Sequence, residues 1–258
     1  MTIGIIGCGA IGSAVFDLFP SAFVYDPRRG FDSEKAFSAD FNFICVPTLP
    51  TPFMGSGLDA SIVAEVVGKC QGIIIICSTL QPGDADKLAE EHHKDVVVQP
   101  HYFGESVGHP FRNLQEQPFL ILGGKYPAVN KVIDLYKTVY NANIRIRRVS
   151  RLEAEIIKLS ENRAIAFKVA QCQELYDACM AAGVDYNTIR EAVYGDDPRF
   201  NLWWTFIYEN RGFNSKCIPK DVYAWKSWCR ENGANSFVTD AILLRNEVLI
   251  GEKCLSKT

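Results

Sequence analysis

Short β-rich runs, most of them apolar at nearly every position, punctuate the first 148 residues: Thr2–Ile6, Ala22–Tyr25, Phe41–Val46, Gly72–Cys77, Val96–Gln99, Phe119–Leu122 and Asn143–Arg147. Runs that are apolar throughout, rather than at alternate positions, predict strands covered on both faces. Stretches with helical spacing lie between several of them, at Ala10–Leu18, Asp59–Lys69, Asp84–Glu91 and Ala128–Val139. That alternation predicts a parallel sheet with helices on both sides. The texture changes at Ser150. From Arg151 to about Gly183 there is no proline, no glycine and no strand-like run, which predicts one helix longer than the globular average. Gly183 is its expected stop, and "DYNTIREAV" starts another helix with Asp185 or Asn187 near its cap. Further helices are expected near Val222–Glu231 and Ser236–Ile250, after an irregular segment around Cys217.

Composition narrows the class. The chain has 258 residues, 48% hydrophobic and 22% charged, as in an ordinary globular protein. A net charge of −3, with no basic run, gives no electrostatic reason to expect nucleic acid as a partner. The longest apolar run, "GIIIIC", is too short to span a bilayer, and the start "TIGIIGCGAIG" lacks a basic leader. A cytoplasmic protein with no membrane partner is expected. Nine cysteines are scattered with no C-x-x-C pair, so no metal site is expected and a reducing compartment fits best.

"GIIGCGAIGSAV" places Gly7, Gly9 and Gly12 directly after the first strand and at the opening of a helix. The G-x-G-x-x-G spacing serves a tight turn, close approach to a pyrophosphate and close helix–strand contact. The helix start, with Ala10 and Ile11, then offers free N–H groups to the anion. The second strand ends in Asp26, nineteen residues after Gly7, where a carboxylate can hydrogen-bond the adenosine ribose of NAD. Asp26 would repel a 2′-phosphate, which favours NAD over NADP, although Arg28 and Arg29 lie beside it. On the long helix Glu155, Lys158 and Asn162 share one face at i, i+3 and i+7. Glu155 and Lys158 could be no more than a surface ion pair. Lys158 and Asn162 could instead put two donors on one substrate oxygen as alkoxide charge develops.

These residues together resemble the UDP-glucose/GDP-mannose dehydrogenase family. "EAEIIKLSENRAIAFKVAQCQELYDAC" is similar to its E-x-x-K-x-x-x-N central helix, "DPRF" to D-x-R-I-G, and "GFNSKCIPKD" to G-F-G-G-S-C-F-P-K-D. "VPTLPTP" and "STLQPG" resemble its V-P-T-P and S-T-V-x-P-G loops. The resemblance implies an α/β chain: a Rossmann-type NAD-binding domain over 1–149, then an all-α dimerisation domain of 6-phosphogluconate dehydrogenase-like type over 150–258. It implies oxidation of a nucleotide sugar's alcohol to the acid in two NAD-dependent steps, in polysaccharide biosynthesis, by a homodimer. Val46, Pro47, Thr48, Ser78 and Thr79 would line the cofactor, Thr79 near the nicotinamide. Cys217 would add to the aldehyde as thiolate, giving a thiohemiacetal and then a thioester that water hydrolyses. Lys158 and Asn162 would stabilise the oxyanions, and Asp221 would position water. Lys220 and Arg199 would hold substrate, Arg199 either in its own site or across a dimer interface.

Three departures from the pattern bear on substrate and chemistry. The family's N-P-E-F-x-x-E-G reads "QPHYFGES" here: Glu105 keeps the second acid, a substrate-site expectation, while His101 takes the place of the first. A histidine there could act as a general base or be a neutral loop residue. Asn214, Ser215 and Lys216 replace Gly-Gly-Ser before the cysteine and should reshape the pocket. The sequence reaches Thr258 soon after the helix that would lead into a third, nucleotide-binding domain, so that domain's grip is expected to be missing. Two rival readings remain: a two-electron β-hydroxyacid or 6-phosphogluconate-type dehydrogenase using Lys158 and Asn162 without a cysteine, and a non-catalytic NAD-binding dimeric relative.

Overall fold

The computed structural model describes residues 1–51, 57–104, 111, 113–140 and 144–255. The chain divides into two compact units, one running from Met1 to Lys158 and the other beginning at Leu159, so the division falls inside the long helix.

In the first unit the strands are β1 (Ile3–Ile6), β2 (Phe23–Asp26), β3 (Phe31–Asp32), β4 (Phe41–Ile44), β5 (Leu49–Pro50), β6 (Leu58–Asp59), β7 (Ile73–Ile76), β8 (Val96–Val98), β9 (Phe119–Gly124) and β10 (Arg145–Val149). The helices are α1 (Ala10–Leu18), α2 (Ser61–Lys69), α3 (Asp84–Glu91) and α4 (Tyr126–Tyr136). Eight strands form one sheet in the order β10-β9-β8-β7-β4-β1-β2-β3, and β5 pairs with β6 in a small separate ribbon. β1 lies between β2 and β4, parallel to both, with Ile5 opposite Val24 and Phe43. The chain thus leaves β1 to one side and returns to the other, which opens a crevice at the carboxyl ends of these strands.

The sheet is not wholly parallel. β9 runs antiparallel to β8 while β10 is parallel to β9, and the two-residue β3 is antiparallel to β2. Hydrophobicity marks "FLIL" as a buried strand but carries no information on its direction. The connection from β8 to β9 contains a single 3₁₀ turn, Leu114–Glu116, among the described residues and no α-helix, so no crossover helix carries β9 back into parallel register.

The all-apolar strands divide their side chains between two cores, one on each face of the sheet. Ile3, Ile5, Phe43, Ile73 and Ile75 join α1 and α4 residues such as Val15, Val132 and Tyr136. Ile6, Ile44, Ile74 and Ile76 join Val63 and Val67 of α2 and Leu88 of α3. Phe43 is fully buried, a contribution of about 1.5–3 kcal/mol for a side chain of that size. Asn42, a buried polar residue within β4, is satisfied: its amide donates to the Ala36 carbonyl at 2.6 Å and accepts from Gly72 N at 3.1 Å.

Helix α5 spans Arg151–Ala182, 32 residues, and ends before Gly183 at φ +70. The second unit continues with α6 (Tyr186–Arg190), a wider π-helical turn over Glu191–Asp196, α7 (Ile218–Glu231) and α8 (Phe237–Leu255). Asp185 caps α6, accepting from Thr188 N at 3.0 Å. The unit's core joins Ala166 and Ala170 of α5, Phe213, Val222 of α7, and Ile242 and Leu243 of α8. Asn246 pins the irregular segment by accepting from Phe213 N at 2.7 Å and donating to its carbonyl at 3.0 Å. Among the described residues no helix is long and apolar enough to cross a membrane.

Candidate functional site

At the crevice the three glycines of the first loop do different work. Gly7 holds φ +89, and a Cβ there would stand 2.7 Å from the Cys45 carbonyl oxygen. A Cβ on Gly12 would lie 1.9 Å from the Gly7 carbonyl oxygen, so only glycine lets α1 pass so close to the strand end. At Gly9 an added Cβ would meet nothing within 4 Å: the space over the start of α1 is an open cradle. Gly9 caps α1, whose first turn, beginning at Ala10 and Ile11, holds no acidic residue. Its free N–H groups suit an anion. Asp26, at the end of β2, accepts from Cys8 N at 2.8 Å through Oδ2, and Arg29 approaches the same oxygen at 3.9 Å. Asp26 therefore fixes the loop as well as offering its other oxygen to a ribose.

The loops after β4 and β7 are bonded to each other. Ser78 Oγ donates to the Val46 carbonyl at 2.7 Å, and Thr48 Oγ1 donates to the Thr79 carbonyl at 2.7 Å, with Pro47 between. Loop glycines, Asp26, Val46–Thr48 and Ser78–Thr79 all stand at carboxyl ends of strands of one sheet. The set fits a dinucleotide: an open cradle at a helix start for the pyrophosphate, and a carboxylate one strand away for the ribose.

In the same unit Lys158 Nζ donates to the His101 carbonyl at 2.9 Å and stands 5.1 Å from the centre of the Tyr102 ring. His101 is 4% exposed, and neither ring nitrogen has a hydrogen-bond partner among the described residues. Burial, assisted by the Lys158 charge, pushes its pKa down to about 3. The ring is neutral and a poor proton acceptor near neutral pH, which favours the neutral-residue alternative over the general base. Glu105 lies outside the described residues.

Glu155 is not part of a surface pair with Lys158. It is 2% exposed, and its two oxygens accept from Gly83 N at 2.7 Å and Ala85 N at 2.8 Å at the start of α3. Burial pushes its pKa up to about 7; the two N–H bonds oppose this, and Asp84 and Asp86 add to it.

In the second unit Asn162, Lys220 and Asp221 come together. The Asp221 carboxylate, 1% exposed, accepts from Asn162 Nδ2 at 2.5 Å and pairs with Lys220 Nζ at 2.7 Å. Asp221 N donates to the Cys217 carbonyl at 3.0 Å, closing the first turn of α7. Cys217 is the N-cap residue of that helix and is exposed. Of the other cysteines with described side chains, Cys45 is half-buried and the rest are buried. Arg199 is not drawn into this cluster: its side chain is 80% exposed and its guanidinium is held by Asp197 at 2.6 Å. Lys158 and Asn162 both fall on α5, Lys158 as the last residue of the first unit and Asn162 four residues on, in the second. Among the described residues no group of three or more His, Cys, Asp or Glu could hold a metal ion.

Fold and site define a class: a doubly wound, Rossmann-type sheet with a dinucleotide cradle, followed by a helical unit. Residues 152–248 match the UDP-glucose/GDP-mannose dehydrogenase family, central domain, in line with the resemblance read from the sequence. The chain is 26% identical over 199 residues to UDP-glucose 6-dehydrogenase of Pseudomonas aeruginosa, covering 71% of this chain and 43% of that one. It is 26% identical over 225 residues to UDP-glucose 6-dehydrogenase 1 of Arabidopsis thaliana, covering 78% and 45%. The chain therefore spans about half the length of the curated relatives it matches. Among solved structures, a UDP-glucose dehydrogenase from Pyrobaculum islandicum superposes with TM-score 0.81 at 22% identity, over 96% of this chain and 68% of that one. A 3-hydroxyisobutyrate dehydrogenase from Mycobacterium tuberculosis superposes with TM-score 0.67 at 14% identity, over 93% and 90%.

Proposed function

We propose that the protein is an NAD-dependent dehydrogenase that oxidises the alcohol of a nucleotide sugar to the carboxylate, working as a homodimer. The observation that carries this reading is Cys217, an exposed thiol at the head of the helix that also supplies Lys220 and the buried Asp221. A dehydrogenase that stops at the aldehyde has no use for such a thiol. NAD, when bound along Gly7–Gly12, Asp26, Val46–Thr48 and Ser78–Thr79, supplies the hydride acceptor for each two-electron oxidation.

The chain's own residues do the rest. Lys158 and Asn162 donate hydrogen bonds to the substrate oxygen as negative charge grows on it. The Cys217 sulfur adds to the aldehyde carbon, forming a C–S bond, and the second oxidation leaves a thioester. Water then breaks that C–S bond, giving the carboxylate and returning the thiol. Asp221, fixed by Asn162 and Lys220, orients that water, and Lys220 binds the substrate. Arg199 and Glu105 are the outer substrate contacts in this scheme. His101, held neutral, contributes a hydrogen-bonding ring rather than a base. Support for self-association comes from exposed apolar side chains on the helical unit, Met180, Val184, Phe206 and Tyr208, which border a groove of about 760 Å³.

The test is NADH yield per substrate. Two NADH and one acid per UDP-sugar are expected from the wild type, and Cys217→Ala should stop after one NADH with aldehyde accumulating. An unchanged yield in Cys217→Ala would favour the second reading, a two-electron hydroxyacid dehydrogenase, which the near-complete overlay on the 3-hydroxyisobutyrate dehydrogenase supports.

A further inference from the structure

Helix α3 begins without a cap of its own. Gly83, its N-cap, has φ +100 and no side chain, and the helix follows a loop that carries Ser78 and Thr79. The first N–H groups of such a helix need acceptors from elsewhere. Glu155, some seventy positions away in sequence, supplies them with both oxygens, at 2.7 and 2.8 Å. One turn further along α5, Lys158 reaches back to the His101 carbonyl at the end of β8. At its other end the same loop is held by Ser78 on Val46 and by Thr48 on Thr79.

We infer that Glu155 is a positioning residue: its carboxyl group fastens the Ser78–Gly83 loop to the turn of α5 that carries Lys158, so that loop and lysine move as one piece. That this loop faces a nicotinamide rests on the function proposed above; the fastening does not. Without these two acceptors the first N–H groups of α3 would be left unsatisfied beside a buried side chain, which packing of the same volume could not repair.

The charged groups around Glu155 set how the clamp responds to pH. Asp84 and Asp86 face it from α3, and each is partly neutralised, by Lys87 at 3.3 Å and by Arg151 of α5 at 2.6 Å. Lys158 is turned to His101. Burial outweighs the two N–H donors and holds the carboxyl at about 7. The closed clamp therefore binds a proton that an opened, hydrated Glu155 releases. By linkage, closure is favoured on the acid side, weakens roughly tenfold per unit as pH rises from about 4.5 to 7, and levels off above 7.

The experiment is backbone amide exchange on the ligand-free protein between pH 5 and 8, each rate divided by its intrinsic rate, with NAD titrations in parallel. In the wild type, protection at Gly83 and Ala85 should fall about tenfold from pH 5 to 6 and level off above about 7.5, while Ile5 and Phe43 keep theirs. Glu155→Gln should remove the pH dependence. Glu155→Ala should lower protection at both amides tenfold or more at every pH and weaken NAD binding several-fold. Flat wild-type protection at Gly83 and Ala85, or unchanged protection in Glu155→Ala, would overturn the proposal. Absence of NAD binding in every form would overturn the dinucleotide reading instead, leaving the clamp to be decided by exchange alone.

Discussion

Asp221 and Lys220 are neighbours in sequence whose side chains meet almost out of water, 1% and 15% exposed. Removing either partner leaves the other as an uncompensated buried charge, at a cost of about 3–5 kcal/mol. Asp221→Leu also strands the Asn162 amide, which donates to that carboxylate at 2.5 Å. Replacing both, with Lys220→Met and Asp221→Leu, removes both charges together and leaves only the Asn162 N–H unpaired, about 1–3 kcal/mol. The two single variants should each lower the melting temperature of the helical unit by upward of ~12 °C, taking ~4 °C per kcal/mol for a domain near 100 residues. The double variant should be more stable than either single one. Urea unfolding followed by circular dichroism at 222 nm measures all four proteins. The reasoning fails if the two single effects simply add in the double variant, because additivity would mean that the pair does not share one buried charge balance.

Two further outcomes follow from the same coordinates. Glu155, raised from 4.5 to about 7, contributes stability that is full below 4.5 and lost as pH rises through 7. His101, lowered from 6.5 to about 3, contributes stability that is present above 6.5 and lost as pH falls toward 3. Between pH 6.5 and 4.5 the folded chain gains a proton on Glu155 while the unfolded chain gains one on His101, so the two cancel; Glu155→Gln should then lose about 2 kcal/mol between pH 6.5 and 5 in urea melts where the wild type loses little from this pair. Iodoacetamide at limiting dose should modify Cys217 ahead of Cys8, Cys45, Cys70, Cys77, Cys172, Cys179 and Cys229 in a peptide map; preferential labelling of any of those thiols would contradict the placement of α7.

What the sequence disclosed, and what it withheld, follows from the range of each interaction. All seven expected strands form: the apolar runs have no stable home except a doubly covered sheet, while β10, with exposed arginines, forms at the sheet's edge. Helices α1 and α3 form over the predicted residues, and α5 stops where Gly183 supplies the left-handed turn. The direction of β9 was not legible, since apolar runs read the same both ways, and the two-residue β3 is below any pattern. The glycine loop, Asp26 and the pairing of Asn162 with the Lys220–Asp221 step lie in recognisable motifs. Glu155 was misread as half of a surface pair because its partners are backbone amides far away in the chain. A signal existed: α3 starts "PGDAD", with glycine where a capping side chain would stand, so its N–H groups had to be satisfied from outside. His101 looked like a base because its ordinary pKa lies near neutrality, and only burial shows otherwise. Cys217 could not be told from eight other cysteines by composition; its exposure at a helix start separates it from the other cysteines with described side chains.

The account rests on a dinucleotide lying over the start of α1, and calorimetric titration of NAD into the wild type and Gly9→Val reads this directly. A Cβ at Gly9 meets nothing within 4 Å of protein, so the valine should fold with an unchanged melting temperature yet occupy the space the pyrophosphate needs. The account predicts one NAD per chain for the wild type and none for the folded variant; equal binding by both, or no binding by the wild type, would contradict it.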